Sequence, residues 1–330
     1  MYQILSSFHL DGYLETRIGG RSENQDACGF SDTPLGALTV VCDGMGGMNG
    51  GSVASSTAVK TIISAFSGAT GKEDPDETIK TAVTEANKAI FEAGNADPNL
   101  NGMGTTLVLI LIDEHCARVV SIGDSRLYQL RSQKTVYRTE DDSVVFQLVK
   151  SGAITEEEAR VSDSSNIITK ALGISENVEF DVVTLPYDKN DRFVLCSDGF
   201  WGSMPEKEML RLLNQKDDLD LLFERVLNKV EMIGKKNNPN HFDNYTAAVF
   251  DVGKYSKKRS VMEKKLKILS IILSILLLLS LACCFMLYRT IHPPKEKVQQ
   301  ETPTEVTAVP DTTVKPVKPA SDKPETIKTK

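Results

Sequence analysis

Histidine, cysteine and tryptophan are scarce in this 330-residue sequence, which contains four, six and one of them. The histidines are scattered, so they do not form the closely spaced ligand pairs of a zinc site. The cysteines show neither metal-finger spacing nor the pattern of a small disulfide-bonded domain. The sequence is therefore typical of a protein from a reducing compartment.

Positive charge is also scarce in the larger part of the chain. Residues 1–253 have a net charge of −15, whereas residues 254–330 have a net charge of +8. An acidic body repels the phosphate backbone that supplies most of the affinity for DNA or RNA. We therefore expect no nucleic-acid partner, and the carboxylates are suited instead to divalent metal ions.

One long segment near the C-terminus lacks charge and proline. Residues 268–288 are almost wholly apolar, and about 20 helical residues span the roughly 30 Å hydrocarbon core of a bilayer. We therefore predict one transmembrane helix over residues 268–288. The preceding residues 254–267, predicted to be a juxtamembrane linker, contain seven basic residues, and only three follow shortly after the span.

This charge asymmetry predicts the orientation of the chain, because basic loops stay in the cytoplasm. The N-terminus lacks the basic and apolar regions of a signal peptide. We expect a single-pass protein of the cell membrane, with residues 1–253 in the cytoplasm. Residues 289–330, rich in threonine, proline and lysine, are predicted to form a disordered extracytoplasmic tail.

Apolar periodicity predicts one domain of strands and helices in residues 1–253. Strands are predicted at 37–41, 105–112, 116–122, 126–130, 179–184, 192–196 and 245–252. Helices are predicted at 51–66, 76–92, 143–151, 155–160, 205–213 and 217–234. Because strands are grouped and do not alternate strictly with helices, we expect an α+β fold of antiparallel sheets covered by helices. The short breaks 113–115 and 123–125 predict hairpins between the strands that flank them.

Four aspartates lie where a predicted strand meets a turn: Asp43, Asp124, Asp198 and Asp243. One such aspartate is typical of a turn residue whose carboxylate accepts hydrogen bonds from nearby amides. Four of them, two in Asp-Gly pairs after apolar strands, indicate instead that the strand ends meet at one rim. Carboxylate oxygens are the ligands that Mg²⁺ and Mn²⁺ prefer, so this rim is a candidate metal site.

The glycine-rich residues 43–51 do not form a nucleotide-binding loop, because both GxxxxGK[ST] and GxGxxG spacing are absent. Glycines here allow the backbone to pass close to a metal ion and to offer a carbonyl as ligand. Arg21 is a candidate for bidentate binding of an oxyanion. A solvated surface arginine is the alternative interpretation.

Six motifs resemble, in the same order, those of the type 2C metal-dependent protein serine/threonine phosphatases in their bacterial form. They extend over roughly residues 8–252. The motifs are Arg21-Ser22-Glu23-Asn24-Gln25-Asp26, Val41-Cys42-Asp43-Gly44-Met45-Gly46-Gly47, Gly102-Met103-Gly104-Thr105-Thr106, Ile122-Gly123-Asp124-Ser125-Arg126, Ser197-Asp198-Gly199 and Asp243-Asn244-Tyr245-Thr246. The resemblance implies a two-sheet antiparallel β-sandwich flanked by helical pairs, in four layers αββα.

The resemblance also implies a site for two Mn²⁺ or Mg²⁺ ions. Asp43 would bridge both ions, and the carbonyl of Gly44 would bind one of them. Asp198 and Asp243 would complete the first metal site. Asp124, together with the segment of residues 151–173 that resembles the family's flap, would hold a third and weaker ion.

Other residues match the supporting positions of the family. Arg21 corresponds to the phosphate-binding arginine, and Asp26 to an acidic residue that supports the metal-bound water network. Gln25 and Asn244 are also expected to support the site. Gln25 replaces a glutamate of some members, and this loss of charge predicts looser binding of the second ion.

Three further positions bear on proton transfer. Met45 replaces a histidine that is proposed as the general acid of eukaryotic members, and methionine cannot donate a proton. His241 is a conceivable substitute, although a solvent-facing loop histidine is the simpler interpretation. Asp142 stands where many bacterial relatives have histidine.

The resemblance implies hydrolysis of phosphoserine and phosphothreonine in cytosolic proteins, with no covalent intermediate, by a hydroxide that bridges two cations. An opposing serine/threonine kinase is a natural partner. Two alternatives stay open: a catalytically silent phosphoprotein-binding module at the membrane, and a metallohydrolase of small phosphoesters.

The predicted topology can be tested with reporter fusions. A reporter active only in the cytoplasm should be active when fused to the N-terminus and inactive when fused to the C-terminus, because the basic flank precedes residues 268–288. A reporter active only outside should give the reverse pattern. Cytoplasmic activity at both ends would contradict the predicted span.

Overall fold

The structure is a computed structural model. It describes residues 1–46, 50–162, 164, 167–253, 271–281 and 286. The chain forms two units, residues 1–265 and residues 266–330.

Six strands form the first sheet of the larger unit: β1 (Tyr2–Leu5), β2 (Leu10–Arg17), β8 (Arg126–Arg131), β9 (Lys134–Arg138), β11 (Arg192–Cys196) and β12 (Tyr245–Val252). Their order across the sheet is β1–β2–β12–β11–β8–β9. Every neighbouring pair is antiparallel.

The second sheet contains β3 (Asp26–Thr33), β4 (Gly36–Met45), β6 (Leu107–Ile112), β7 (Ala117–Ile122) and β10 (Val183–Leu185). Their order is β10–β7–β6–β4–β3, and the short strand β5 (Gly104–Thr105) pairs with the end of β4. All of these pairings are antiparallel as well. β4 is therefore an internal strand that is paired on both edges.

Seven α-helices are found among the described residues of the larger unit: α1 (Gly50–Ser67), α2 (Pro75–Ala96), α3 (Val144–Lys150), α4 (Glu156–Arg160), α5 (Asp198–Trp201), α6 (Glu206–Leu213) and α7 (Leu219–Asn237). The apolar faces of α1 and α2 pack on the second sheet. Those of α6 and α7 pack on the first sheet. A short 3₁₀ helix, Pro98–Leu100, follows α2.

A third apolar layer lies between the two sheets. Successive side chains of a strand point to opposite faces, so Val41 of β4 packs between the sheets while Cys42 packs under the helices. In the same layer the rings of Phe193 and Phe250 pack with their centroids 5.8 Å apart. The predicted α+β sandwich with antiparallel sheets and flanking helices is confirmed.

One predicted hairpin is wrong. β7 pairs with β6 and β10, and β8 pairs with β9 and β11, so the two strands belong to different sheets. The break 123–125 carries the chain from one sheet to the other, and Gly123 has a φ of 92° that favours glycine. Break length alone does not decide whether a turn closes a hairpin or crosses a sandwich. The hairpin predicted at 113–115 is confirmed.

Other differences concern strand ends and missed strands. β4 continues through Asp43 to Met45, where a turn was expected, because β3 and β5 extend the pairing. β10 lies at 183–185 where 179–184 was predicted. β1, β2, β3 and β9 were not predicted, since their polar and glycine residues interrupt the apolar pattern.

The described part of the smaller unit is helical at 271–281 and 286. Among the described residues, no helix combines the length and the apolar character needed to cross a bilayer. The rest of the predicted span 268–288, the predicted linker 254–267 and the predicted tail 289–330 lie outside the described residues. The membrane anchor therefore stays a prediction.

Close packing of α1 on β3 depends on a glycine. A Cβ at Gly29 would lie 2.8 Å from Cγ1 of Val59, so Gly29→Ala should lower the free energy of unfolding by about 1–3 kcal/mol through overpacking. Adding Val59→Ala should recover part of this loss, so that urea denaturation of the double variant deviates from additivity. Gly68→Ala, with no atom within 4 Å of the new Cβ, is the control. Strict additivity would contradict the proposed clash.

Candidate active site

Polar side chains replace the apolar layer at one end of the sandwich. On β4, β11 and β12 the inward-facing positions Val41, Leu195 and Ala248 are apolar. Two residues closer to the rim, on the same inward-facing side of each strand or its extension, the residues are Asp43, Ser197 and Thr246. Strand alternation therefore directs these polar groups into the space between the two sheets.

Asp43 lies on the second sheet, with Asp26 opposite it on β3. Its backbone is held at both polar groups, because its N–H donates to Thr106 Oγ1 at 2.9 Å and its carbonyl accepts from Thr105 Oγ1 and from the Thr106 N–H, each at 2.8 Å. The half-buried Asp43 carboxyl is within hydrogen-bonding reach of the Asp198 carboxyl. This contact joins the two sheets at the rim.

Asp198 and Asp243 extend from the first sheet. Asp198 is the first residue of α5 and lies two residues after the end of β11, and Asp243 lies two residues before the start of β12. Because β11 and β12 are antiparallel neighbours, the end of one strand lies beside the start of the other. Both carboxylates are half-buried.

Asp124 lies in the crossing between β7 and β8 and is 4% exposed. Its carboxyl interacts electrostatically with Asp198 and Asp141, as the shift of its pKa indicates. The structure therefore brings together all four aspartates that the sequence places at strand ends.

Arg21 lies in the loop between β2 and β3. Its side chain is 47% exposed, and Nη2 donates to Oδ2 of Asp243 at 2.9 Å. Asn244 anchors this loop, because its Nδ2 donates to the carbonyls of Ile18 and Glu23 and its Oδ1 accepts from the Gln25 N–H at 2.8 Å. Asn244 thus positions the loop that carries Arg21.

The Gly44 backbone is packed tightly against the start of α1. A Cβ at Gly51 would lie 2.7 Å from the Gly44 carbonyl oxygen, so only glycine at position 51 allows this approach. The Gly44 N–H donates to the Gln25 carbonyl at 3.0 Å, and the same carbonyl accepts from Ser55 Oγ. The Gln25 side chain also packs against Gly51.

Asp26 has a partner that the sequence did not indicate. Ser197 Oγ donates to Asp26 Oδ2 at 2.7 Å, and the Thr246 N–H donates to Ser197 Oγ at 3.0 Å. The other Asp26 oxygen, Oδ1, is buried and has no hydrogen-bond partner among the described residues. A buried unpaired oxygen is costly and suits a bound water molecule or ion.

Burial raises the pKa of four of these carboxyl groups. Desolvation raises the pKa of Asp26 to about 7, against hydrogen bonds from Thr246 and Ser197 that lower it. Desolvation, followed by the charge of Asp243, raises the pKa of Asp198 to about 6. The pKa values of Asp43 and Asp124 are also raised, by desolvation and then by neighbouring carboxylates. Ionisation of these groups is therefore disfavoured by burial and by their neighbours, and a bound cation would offset this.

The donor set fits hard divalent cations. Among the described residues, Arg21 is the one basic side chain in an ion pair with any of these five aspartates. No three histidine, cysteine, aspartate or glutamate side chains in the described chain form a ready-made metal cluster. Carboxylate oxygens are nevertheless the donors that Mg²⁺ and Mn²⁺ prefer, and Mg²⁺ typically keeps several water ligands.

The three expected departures from the family pattern differ in their contacts. Met45 is at the end of β4 and is half-buried, while His241 is exposed in the loop before β12. Among the described residues, Asp142 has no hydrogen bond to the rim carboxylates, but it bonds to Gly123, the residue before Asp124. Among the described residues, no hydrogen bond or ion pair joins His241 to the rim aspartates.

Sequence reasoning missed several residues around the site. Ser197 bonds to Asp26 and is itself bonded by the Thr246 N–H, while Trp201 and Arg126 lie behind Asp124. Ser197 could have been found, since it directly precedes Asp198 and shares the inward-facing row of Leu195. Long-range partners such as Trp201 leave no signal in one sequence.

The architecture and the acidic rim agree with the class that the sequence motifs resemble, the metal-dependent phosphatases. The sequence matches the family model "Protein phosphatase 2C" over residues 15–237. The chain belongs to the protein phosphatase 2C family, and the prediction of a protein serine/threonine phosphatase is confirmed.

Two curated relatives illustrate the match. The serine/threonine phosphatase stp of Listeria monocytogenes is 33% identical over 222 residues, which cover 66% of this chain and 88% of that protein. The serine/threonine protein phosphatase PstP of Mycobacterium tuberculosis is 33% identical over 235 residues, 71% of this chain and 43% of that longer protein.

Solved structures share the fold. A crystal structure of the M. tuberculosis phosphatase PstP/Ppp has a TM-score of 0.65 and 30% identity, covering 74% of this chain and 100% of that chain. A PstP catalytic domain in complex with two manganese ions has a TM-score of 0.64 and 31% identity, covering 74% and 99%. Stp1 of Staphylococcus aureus has a TM-score of 0.67 and 27% identity, covering 74% and 96%.

The raised pKa values predict how stability depends on pH in the absence of metal. The native state keeps protons on Asp26 and Asp198 that the unfolded chain loses near pH 4, so the free energy of unfolding should fall as pH rises from about 4 to about 7. Asp198→Asn should flatten this fall. Urea denaturation in the presence of a chelator measures both slopes.

Glu85→Gln, which changes an exposed helical carboxylate, is the matched control and should keep the wild-type slope. Equal slopes for wild type and Asp198→Asn would contradict the assignment of the raised pKa to this cluster.

Proposed function

We propose that the chain hydrolyses phosphoserine and phosphothreonine in proteins at this rim, with two Mn²⁺ or Mg²⁺ ions and without a covalent intermediate. The observation that carries the proposal is the cluster of four aspartates with raised pKa values beside Asp243, which pairs with the exposed Arg21. The two manganese ions of the related PstP structure support the same cofactor here.

The aspartates would hold the cations. Asp43, Asp198 and Asp243 would supply carboxylate oxygens from the two sheets, and the Gly44 carbonyl would supply a backbone ligand. Asp124 would contribute to a third and weaker site. When bound, the cations would supply acidification of water and offset charge on the phosphoryl oxygens. Asp26 accepts a hydrogen bond from Ser197 and keeps one oxygen available for ordered water.

Arg21 binds the phosphoryl group. Its planar guanidinium presents donors that match two phosphoryl oxygens, and its side chain is exposed at the edge of the acidic rim. Its ion pair with Asp243 holds it next to the carboxylates. From this position Arg21 fixes the orientation of the phosphorus for in-line attack.

The cysteines near the rim do not supply a nucleophile. Burial raises the pKa values of Cys42 and Cys196, so both thiols stay protonated and are inert. Cys28, Cys42, Cys116 and Cys196 are all free thiols. Direct attack by water is therefore the chemistry that these side chains support.

We further propose that residues 268–288 anchor the enzyme in the cell membrane with residues 1–253 in the cytoplasm. The support is the uncharged apolar run and its basic N-terminal flank. Tethering would keep the enzyme near membrane-associated phosphoproteins, including an opposing serine/threonine kinase.

The proposal predicts the effect of removing one metal ligand. With Mn²⁺, the wild-type chain should hydrolyse a phosphothreonine peptide, and Asp43→Asn should lower kcat/KM by roughly 10³-fold or more, since several kcal/mol of transition-state stabilisation is lost. Asp188→Asn changes an exposed carboxylate that pairs with Arg131 and should keep wild-type activity.

Three results would contradict the proposal in different ways. Faster hydrolysis of nucleotides than of the phosphopeptide would favour a small-phosphoester hydrolase. Binding of the phosphopeptide and Mn²⁺ without turnover would favour a silent binding module. Full activity of Asp43→Asn would remove Asp43 from the reaction.

A further inference from the structure

The single tryptophan of the sequence lies directly behind one rim aspartate. Trp201 is 8% exposed, and its indole Nε1–H donates to the backbone carbonyl of Asp124 at 2.9 Å. Trp201 is also the last residue of α5, whose first residue is Asp198. One helical turn therefore joins the Asp198 carboxylate to the backbone of Asp124.

The indole ring is itself held in place. The Arg126 guanidinium stacks on the ring, with its Cζ 3.4 Å from a ring centroid. Arg126 also binds Asp141 in a bidentate ion pair, through Nε at 2.9 Å and Nη2 at 2.7 Å. Both charged groups are buried, so breaking the Arg126–Asp141 pair would leave an uncompensated buried charge. The pair therefore holds the Arg126 guanidinium in place, and the stacked guanidinium in turn holds the plane of the Trp201 ring.

A second contact holds the other side of the Asp124 turn. The Asp142 N–H donates to the Gly123 carbonyl at 2.8 Å, and Asp142 Oδ2 accepts from the Gly123 N–H at 3.3 Å. The residue before Asp124 is thus held by Asp142, and Asp124 itself is held by Trp201. Asp124 has little freedom to move relative to Asp198.

We propose that Trp201 is a positioning residue that sets where the Asp124 carboxylate lies relative to Asp198, and thereby the affinity of the third, weaker cation that Asp124 holds. The inference rests on the proposed function in one respect, namely that these carboxylates bind divalent cations. Trp201 does not touch the cation or the substrate. It acts through the backbone carbonyl of Asp124.

The test is calorimetric titration of the full chain with Mn²⁺. Trp201→Phe keeps an aromatic ring for Arg126 and removes the N–H donor. The substitution should raise the Mn²⁺ dissociation constant about three- to tenfold at the site that Asp124→Asn also weakens, as expected for the loss of one hydrogen bond. At any site that Asp124→Asn leaves unchanged, Trp201→Phe should leave the Mn²⁺ affinity unchanged as well.

A double-mutant cycle separates positioning from a general structural role. In the Asp124→Asn background, Trp201→Phe should have no further effect on Mn²⁺ affinity, because the two act on one site. The control Arg192→Lys disturbs another bidentate pair, Arg192–Asp251, at the opposite end of β11. It should lower the midpoint of urea denaturation and leave the Mn²⁺ isotherm unchanged.

A second measurement does not depend on the stability of the Trp201 variant. Since Trp201 is the only tryptophan, its emission in the wild-type chain should change on titration with Mg²⁺, and Asp124→Asn should abolish the change. Three results would each overturn the inference. The Mn²⁺ isotherms of wild type and Trp201→Phe could be equal, or the two substitutions could have additive effects in the double-mutant cycle. The third such result is tryptophan emission that does not change when Mg²⁺ is added. A wild-type chain that binds no Mn²⁺ would overturn the proposed function instead.

Discussion

Electrostatic repulsion among carboxyl groups is the constraint on which the rim depends. Asp26 and Asp43 face each other on neighbouring strands, Asp198 reaches Asp43 from the opposite sheet, and Asp124 interacts with Asp198. Their charges favour separation, while the packing of the sandwich holds them together. A folded domain tolerates such an arrangement when protons or cations offset the charge, and the surrounding core supplies the stability that the rim lacks.

The fold class and the order of most elements followed from the sequence because their signals are local. The apolar run of β11 and the helical spacing in α1 and α2 need no knowledge of distant residues. Local signals do not show which strands pair with each other, as the turn around Gly123 demonstrates. Whether that turn closes a hairpin depends on which strands fill the neighbouring positions, and β10, the partner of β7, follows some 60 residues later in the chain.

In the site too, features with a local sequence signal were predicted and features that depend on distant residues were not. Aspartates at strand ends were recognisable because each stands next to an apolar strand, and the family resemblance gave them roles. The partners Ser197, Trp201 and Asp141 were not recognised, because each meets its partner only after the two sheets have packed. Spatial neighbours of this kind follow from topology and not from spacing.

The backbone is secured on both sides of the acidic rim. Asp43 sits on an internal strand with its N–H and its carbonyl both hydrogen-bonded. The loop of Arg21 is held by the Asn244 side chain, by the Gly20 N–H bonded to the Phe242 carbonyl and by Ser52 Oγ bonded to Glu23. Because Ser52 belongs to α1, which packs on the second sheet, and Asn244 leads into β12 of the first, a shift of either sheet at the rim would displace Arg21 with it.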